Sequence, residues 1–186
     1  GIPRGAAEAS LPFHFQWALE KRTIVARGPR FLRRRMWSTH TRYPFGLVLG
    51  GGFETIAACD RIVAASESYI GLVEVGVGLI PGAGGNLRMI SNLSKKINSA
   101  MPGAFPIIQK AFETIGFAKV ATSAKEAQAI GYLRKDDQIV INRDHRLSEA
   151  KKAVLLMADD YTAPEIENFK LPGKSGRLVL EGTLKG

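Results

Sequence analysis

The spacing of apolar positions changes several times along the chain, and each change marks an expected element. Phe45, Leu47, Val48 and Leu49 form a short apolar run of the buried-strand kind, stopped by Gly50, Gly51 and Gly52. Phe53, Ile56, Ala57 and Cys59 then recur at helical spacing, so a strand should feed a helix through glycines. A further strand, an acidic loop and a second glycine turn complete residues 45–85. Downstream, Leu87, Met89, Ile90 and Leu93 predict a short helix, broken in the region from Met101 to Pro106. Ile107, Ile108, Ala111, Phe112 and Ile115 predict another helix over 107–120. Ser123-Ala-Lys-Glu126 has capping-box spacing and opens a helix that ends near Gly131. Residues 138–141 alternate as a short strand. Asp144 is expected to cap a helix carrying Leu147, Ala150, Val154, Leu155 and Ala158. Pro164, Pro172, Gly173 and Gly176 predict a loop-rich tail, with residues 178–180 its one apolar patch. There is no internal repeat.

Composition adds limits to this α/β pattern. A chain of 186 residues with 45% hydrophobic and 23% charged residues can bury one core, so a single globular domain is expected. No apolar run approaches the roughly 18 residues that a membrane-spanning helix needs. The one cysteine, Cys59, cannot form an intrachain disulfide and suits a small buried hydrophobe, and a cytoplasmic setting is expected. His14, His40 and His145 lack metal-ligand spacing, so no metal site is expected.

The net charge of +9 is concentrated in residues 1–42, which carry eight arginines and Lys21 against Glu8 and Glu20. The basic character therefore belongs to one end, and nucleic acid is not the expected partner. Four readings of this segment stand open. It can be an Arg-rich transit peptide, a nucleic-acid-binding arm, a solvated extension, or the product of a truncated or frame-altered gene. Its Arg33-Arg34-Arg35 run ends close to the point where the pattern of the rest begins.

Chemistry concentrates in residues 45–85. Glycines at a strand-to-helix junction let the backbone come close to a ligand, and the first helical N–H groups can donate to an oxygen that gains negative charge. Glu54 lies about one turn into the helix, and Glu74 stands in the otherwise apolar stretch 70–77, so two carboxylates are expected to bracket a glycine-lined pocket. The plain alternative makes Glu54 a first-turn glutamate favoured by the helix N-terminus and Glu74 a solvated loop residue.

The segments LGGGFE, ACDRIVAA and GLVEVGVGLIPGAGG, in this order and spacing, resemble the enoyl-CoA hydratase/isomerase (crotonase) superfamily. From about Pro44 onward the chain looks closest to the hydratase-like part of large bacterial proteins that also carry a 3-hydroxyacyl-CoA dehydrogenase domain. The resemblance implies an α/β crotonase-like fold over residues 43–186, incomplete at its N-terminal side, with residues 1–42 outside the family pattern. The Ala-Gly-x-Asp type loop that carries the family's second oxyanion donor is not found, and Asn86 stands where many relatives have threonine.

Carried onto this chain, the family's chemistry is hydration of an enoyl-CoA thioester in fatty-acid oxidation. Gly51 matches the oxyanion-hole donor, Glu54 and Glu74 the two acid/base residues, and Gly50, Gly52, Pro81 and Gly82 the substrate-binding turns. Both glutamates favour a hydratase over an isomerase. Two carboxylates in one apolar pocket are expected to titrate apart. Coenzyme A would be part of the substrate, with no separate cofactor. A homo-oligomer, trimer or hexamer, is implied as well. The alternative function is a non-catalytic crotonase-fold fragment serving as a binding or assembly unit.

Overall fold

The computed structural model describes residues 23–27, 38–97, 104–158, 161–162 and 167–183. His14, Arg33–Arg35 and Met101 lie outside the described residues. Two small sheets and six helices make up what is described. The first sheet has the order β1-β2-β4-β7, formed by Thr23–Arg27, Ser38–Arg42, Arg61–Ala65 and Gln138–Val140. The second has the order β3-β5-β6, formed by Leu47–Leu49, Tyr69–Gly71 and Val120–Ala121. Strands β2, β4 and β7 run parallel, as do β3 and β5, whereas β1–β2 and β5–β6 are antiparallel.

Strand β4 explains its own place at the centre. Ile62, Val63, Ala64 and Ala65 are all buried, so both faces are covered, as expected for a continuous apolar run in a parallel sheet. Ile62 and Ala64 join the main core with Phe53, Ile70, Leu72, Met89, Leu93 and Tyr132. Val63 faces the other way, onto Val140 and Ala150 of helix α5, Arg146–Ala158. The parallel partner β2 brings Thr41 and Arg42, both buried, against Arg61 and Ile62.

Three helices follow the expected pattern closely. Helix α1, Gly51–Ala57, starts within the glycine run rather than after it, so Gly51 and Gly52 form its first turn and Cys59 lies past its end. Helix α2 spans Gly85–Ile97. Helix α4, Ala124–Ile130, is capped as its sequence requires: Ser123 Oγ accepts from Glu126 N–H at 3.1 Å, and Glu126 reaches back to Thr122 N–H and hydroxyl, both at 2.7 Å.

Elsewhere the elements differ from the sequence reading. The stretch expected as one strand after α1 is two, β4 and β5, because a turn at Ser66 and Glu67 passes the chain to the second sheet. Helix α3, Phe105–Gly116, holds Pro106 in its first turn, where no intrahelical N–H bond is lost. It also ends earlier than expected, and residues 120–121 form β6. The cap ahead of α5 is Asn142, whose side chain accepts from Asp144 N–H at 3.0 Å, and a short 3₁₀ turn, Arg143–His145, precedes the helix. The tail is not a loop, since Gly173–Thr183 forms α6, which packs on α3. No helix among the described residues is long and apolar enough to cross a membrane.

Candidate active site

The glycine turn between β3 and α1 brings two of the expected site residues, Gly50 and Glu74, together. Gly50 has φ of 55° and donates its N–H to Gly71 O at 2.8 Å, which ties the turn to strand β5. A side chain there would be strained, because the backbone is left-handed, and a Cβ would sit in van der Waals contact with Glu74 Oε1 at 3.4 Å. The Glu74 carboxylate therefore lies directly over the backbone of the turn. Gly51 follows as the first residue of α1, ahead of the first bond of the helix, Glu54 N–H to Gly50 O at 3.1 Å. Its N–H is among the donors that a helix leaves unused internally.

Glu54 is 6% exposed, an unusual place for a carboxylate unless it is held. Two backbone groups hold it: Ala83 N–H and Gly85 N–H each donate to Oε1 at 2.8 Å. Glycine at 85 leaves room for this, because a Cβ would lie 3.0 Å from Glu54 Oε1 and 2.7 Å from Leu72 Cδ2 and one of these side chains would have to shift. The plain alternative for Glu54 needs a side chain that serves the N-terminus of its own helix. The structure instead turns it to a loop about thirty residues further on, so that the start of α2 cradles a carboxylate from α1.

Glu74 begins a 3₁₀ turn, Glu74–Val77. Its Oε2 is buried without a hydrogen-bond partner among the described residues, which does not fit a solvated loop glutamate. An orphaned buried carboxylate oxygen is costly, and it marks where a proton or a ligand group would be received. Pro81 is buried and its carbonyl accepts from Asn86 Nδ2 at 3.0 Å, so Asn86 fixes the turn from within α2. Gly52 and Gly82 are exposed on the rim.

Several neighbours of the site carry no mark in the sequence. A cleft of about 590 Å³ reaches Glu54 from the side of Cys59, Asp60, Arg88, Arg134 and Tyr161, and Glu74 is not among the residues that line it. Glu54 lines this cleft, and the Glu74 carboxylate lies by the backbone of the glycine turn. Arg88 lies in the cleft with its guanidinium pKa lowered, by burial first and then by the charge of Arg134. Burial raises the Cys59 thiol, in keeping with a packing role. The glycine run before α2 was the one available signal for the Glu54 cradle, since such runs expose backbone N–H groups.

Asp60 anchors one wall of the cleft. It accepts from His40 N–H at 2.7 Å and from the Tyr161 hydroxyl at 2.8 Å. Burial, then the hydrogen bond and charge of Asp60, push the Tyr161 phenol up to about 12. A phenol whose folded pKa exceeds its unfolded value of about 10 contributes stability that is complete below that value and is lost as pH rises. The stability of the chain should accordingly fall between about pH 10 and pH 12 through this contact. Chemical denaturation across that range checks it, and Tyr161→Phe should flatten the slope. An unchanged slope in the variant would mean that another group titrates there.

Residues 45–103 match the family model described as enoyl-CoA hydratase/isomerase. A probable 3-hydroxyacyl-CoA dehydrogenase of Bacillus subtilis (strain 168) is 45% identical over 138 residues, covering 74% of this chain and 17% of that protein. Human mitochondrial methylglutaconyl-CoA hydratase is 41% identical over 88 residues, 47% of this chain and 22% of that protein. Among solved structures, an enoyl-CoA hydratase from Bacillus anthracis is 28% identical, with a TM-score of 0.47 over 61% of this chain and 37% of that chain. This chain thus spans less than a quarter of the length of these two curated relatives. The matched region contains the strand, the glycine turn, Glu54, Glu74 and the Glu54 cradle described above, and by it the chain belongs to the enoyl-CoA hydratase/isomerase, or crotonase, superfamily.

Proposed function

We propose that this chain carries the acid/base site of a hydratase-type lyase, which adds water across the 2,3 double bond of an enoyl-CoA thioester in fatty-acid oxidation. One observation carries the reading: the Glu74 carboxylate, with one buried oxygen unpartnered, lies by the turn that presents Gly51 N–H, and the helix that starts there carries Glu54, whose Oε1 is held by two backbone N–H groups.

Each group has a task in this reading. Glu54 Oε1 is occupied by two N–H donors, so its other oxygen is the one that takes a proton from water. The water oxygen bonds to C3 as the double-bond electrons move toward the thioester carbonyl. Gly51 N–H donates to the oxygen that gains this charge. Glu74 delivers a proton to C2, and the enolate electrons return to form the new C–H bond. The two carboxyls then exchange a proton through solvent, which restores the starting state. Protons and electrons balance among water, thioester and carboxyls, so the step calls for no further cofactor. Gly50, Gly52, Pro81 and Gly82 would shape the backbone wall against which the thioester lies. The purified chain is expected to convert crotonyl-CoA to its 3-hydroxy product. Failure to bind any acyl-CoA at millimolar concentration would overturn the reading.

A second reading, a crotonase-fold unit that serves binding or assembly without catalysis, is favoured by one observation. Val77, Leu79 and Ile80, on the loop that follows Glu74, are 76%, 62% and 77% exposed. Apolar surface of this kind next to a site favours association. Under either reading we expect a homo-oligomer of three or six copies in the cytoplasm. Sedimentation velocity should show it, and Ile80→Lys should shift the population toward monomer. A chain that stays monomeric at high concentration would remove this expectation.

A further inference from the structure

Tyr132 is 1% exposed and reaches three separate segments of the chain, two of which lead to the site. Its hydroxyl accepts from Leu72 N–H at 3.2 Å and donates to Lys119 O at 2.7 Å. Its ring meets the ring of Phe53 edge-on, with centroids 5.1 Å apart and planes at 70°. Phe53 is the residue before Glu54 in α1. Leu72 is two residues before Glu74, is itself fully buried, and packs so closely on Gly85 that a Cβ there would lie 2.7 Å from its Cδ2. Gly85 in turn donates to Glu54 Oε1.

A continuous chain of contacts therefore runs from the Tyr132 hydroxyl to Leu72, from Leu72 to Gly85, and from Gly85 to the Glu54 carboxylate. A second branch runs from Leu72 along the backbone to Glu74. Leu72 lies just past the end of β5, so the strand ladder does not satisfy its N–H, and the phenol takes the place of a strand partner. Burial raises the phenol pKa, so the group stays a neutral donor and acceptor over the working range.

We propose that Tyr132 is a positioning residue that sets the spacing of Glu54 and Glu74 through Leu72. This rests on the hydratase reading above for its effect on rate, but the placement of the two segments can be read without catalysis. A tyrosine that only filled space would do the same through its ring, and Tyr132→Phe separates the two roles, because it keeps the ring and removes the hydroxyl.

The experiment compares the full chain with Tyr132→Phe in two measurements. In the first, amide hydrogen exchange is followed by NMR. Exchange at Leu72 and Glu74 is expected to speed up at least tenfold, and the Ala83 and Gly85 amide signals to shift, while Val63 and Ala64 in the other sheet stay unchanged. In the second, crotonyl-CoA hydration should lose about tenfold or more in kcat with KM within about twofold, as expected when a misplaced group is felt in the transition state. Unchanged exchange at Leu72 and Glu74, or unchanged kcat in an active chain, overturns the proposal. If the parent chain shows no hydration, the hydratase reading fails and the exchange data alone decide the positioning. If Tyr132→Phe does not fold, the parent decides: the proposal requires its Leu72 amide to be as protected as that of Ile70, and rapid exchange there overturns it.

Discussion

Glu74→Gln is expected to slow crotonyl-CoA hydration by about 10²–10⁴-fold, the range over which a positioned acid or base acts. The substitution keeps the shape of the side chain and removes its ability to carry the transferred proton. Because Glu74 Oε2 has no partner among the described residues, an amide there breaks no bond of the fold, so stability should change little. Gly51 and the turn are untouched, and acyl-CoA binding should survive with KM within a few-fold. Glu54→Gln should also lose rate, for a different reason. The Ala83 and Gly85 N–H groups need an acceptor at Oε1, and an amide can meet them only by turning its NH₂ toward the water position. Stopped-flow loss of the enoyl thioester absorbance measures both variants. A Glu74→Gln rate within about threefold of the parent would remove Glu74 from the proton path.

The largest expected loss of stability is at Asp137, away from the proposed chemistry. Asp137 is 4% exposed and accepts from Ile62 N–H at 2.9 Å, from Arg134 N–H at 2.8 Å and from Arg134 Nη2 at 2.9 Å. Arg134 is largely buried too, and the same Nη2 reaches Cys59 O at 3.2 Å. Asp137→Ala would leave two backbone donors unpaired in the interior and take from the Arg134 guanidinium its buried carboxylate partner, leaving it Cys59 O and the exposed Asp136. Breaking a buried ion pair by removing one partner costs about 3–5 kcal/mol. Against a total of about 5–15 kcal/mol for a domain, that is enough to unfold much of the population. Urea denaturation should show a midpoint far below that of the parent, with Asp137→Asn in between because it keeps an acceptor for Ile62 N–H. Equal stability of the Ala and Asn variants would show that the backbone bonds, rather than the charge, are idle. Since β4 begins beside Cys59 and Asp60, where α1 has just ended, loss of this clamp should also loosen the helix that carries Glu54.

Much of the local structure was legible from residues a few positions apart. The entry of a strand into a helix through Gly50–Gly52, the Ser123–Glu126 cap and the alternation of residues 138–140 all depend on spacing that the backbone enforces over one or two turns, whereas of the expected apolar stripe of α5 only Ala150, Val154 and Ala158 are buried and Leu147 and Leu155 are exposed. Glu54 and Glu74 also stood out as carboxylates in apolar company, and the order of the glycine turns around them was enough to indicate the superfamily. The loop-rich reading of the tail failed because a count of Gly and Pro does not see position. Pro172 stands just ahead of α6, where proline is tolerated, and the first residue of the helix is Gly173.

The working arrangement was decided by tertiary contacts across long stretches of chain. Ala83 and Gly85 reach Glu54 over 29 and 31 positions, Tyr132 reaches Leu72 over 60, and Asp137 reaches Ile62 over 75. None of these pairs leaves a periodic mark, because each partner satisfies a rule of its own segment. Tyr132 follows the glycine that closes α4, Asp137 belongs to a charged turn, and Gly85 opens α2. Hydrophobic periodicity determines which face of an element is buried, but it leaves open which element covers it. Which backbone N–H groups meet a buried carboxylate follows only once the strands and helices have packed against one another.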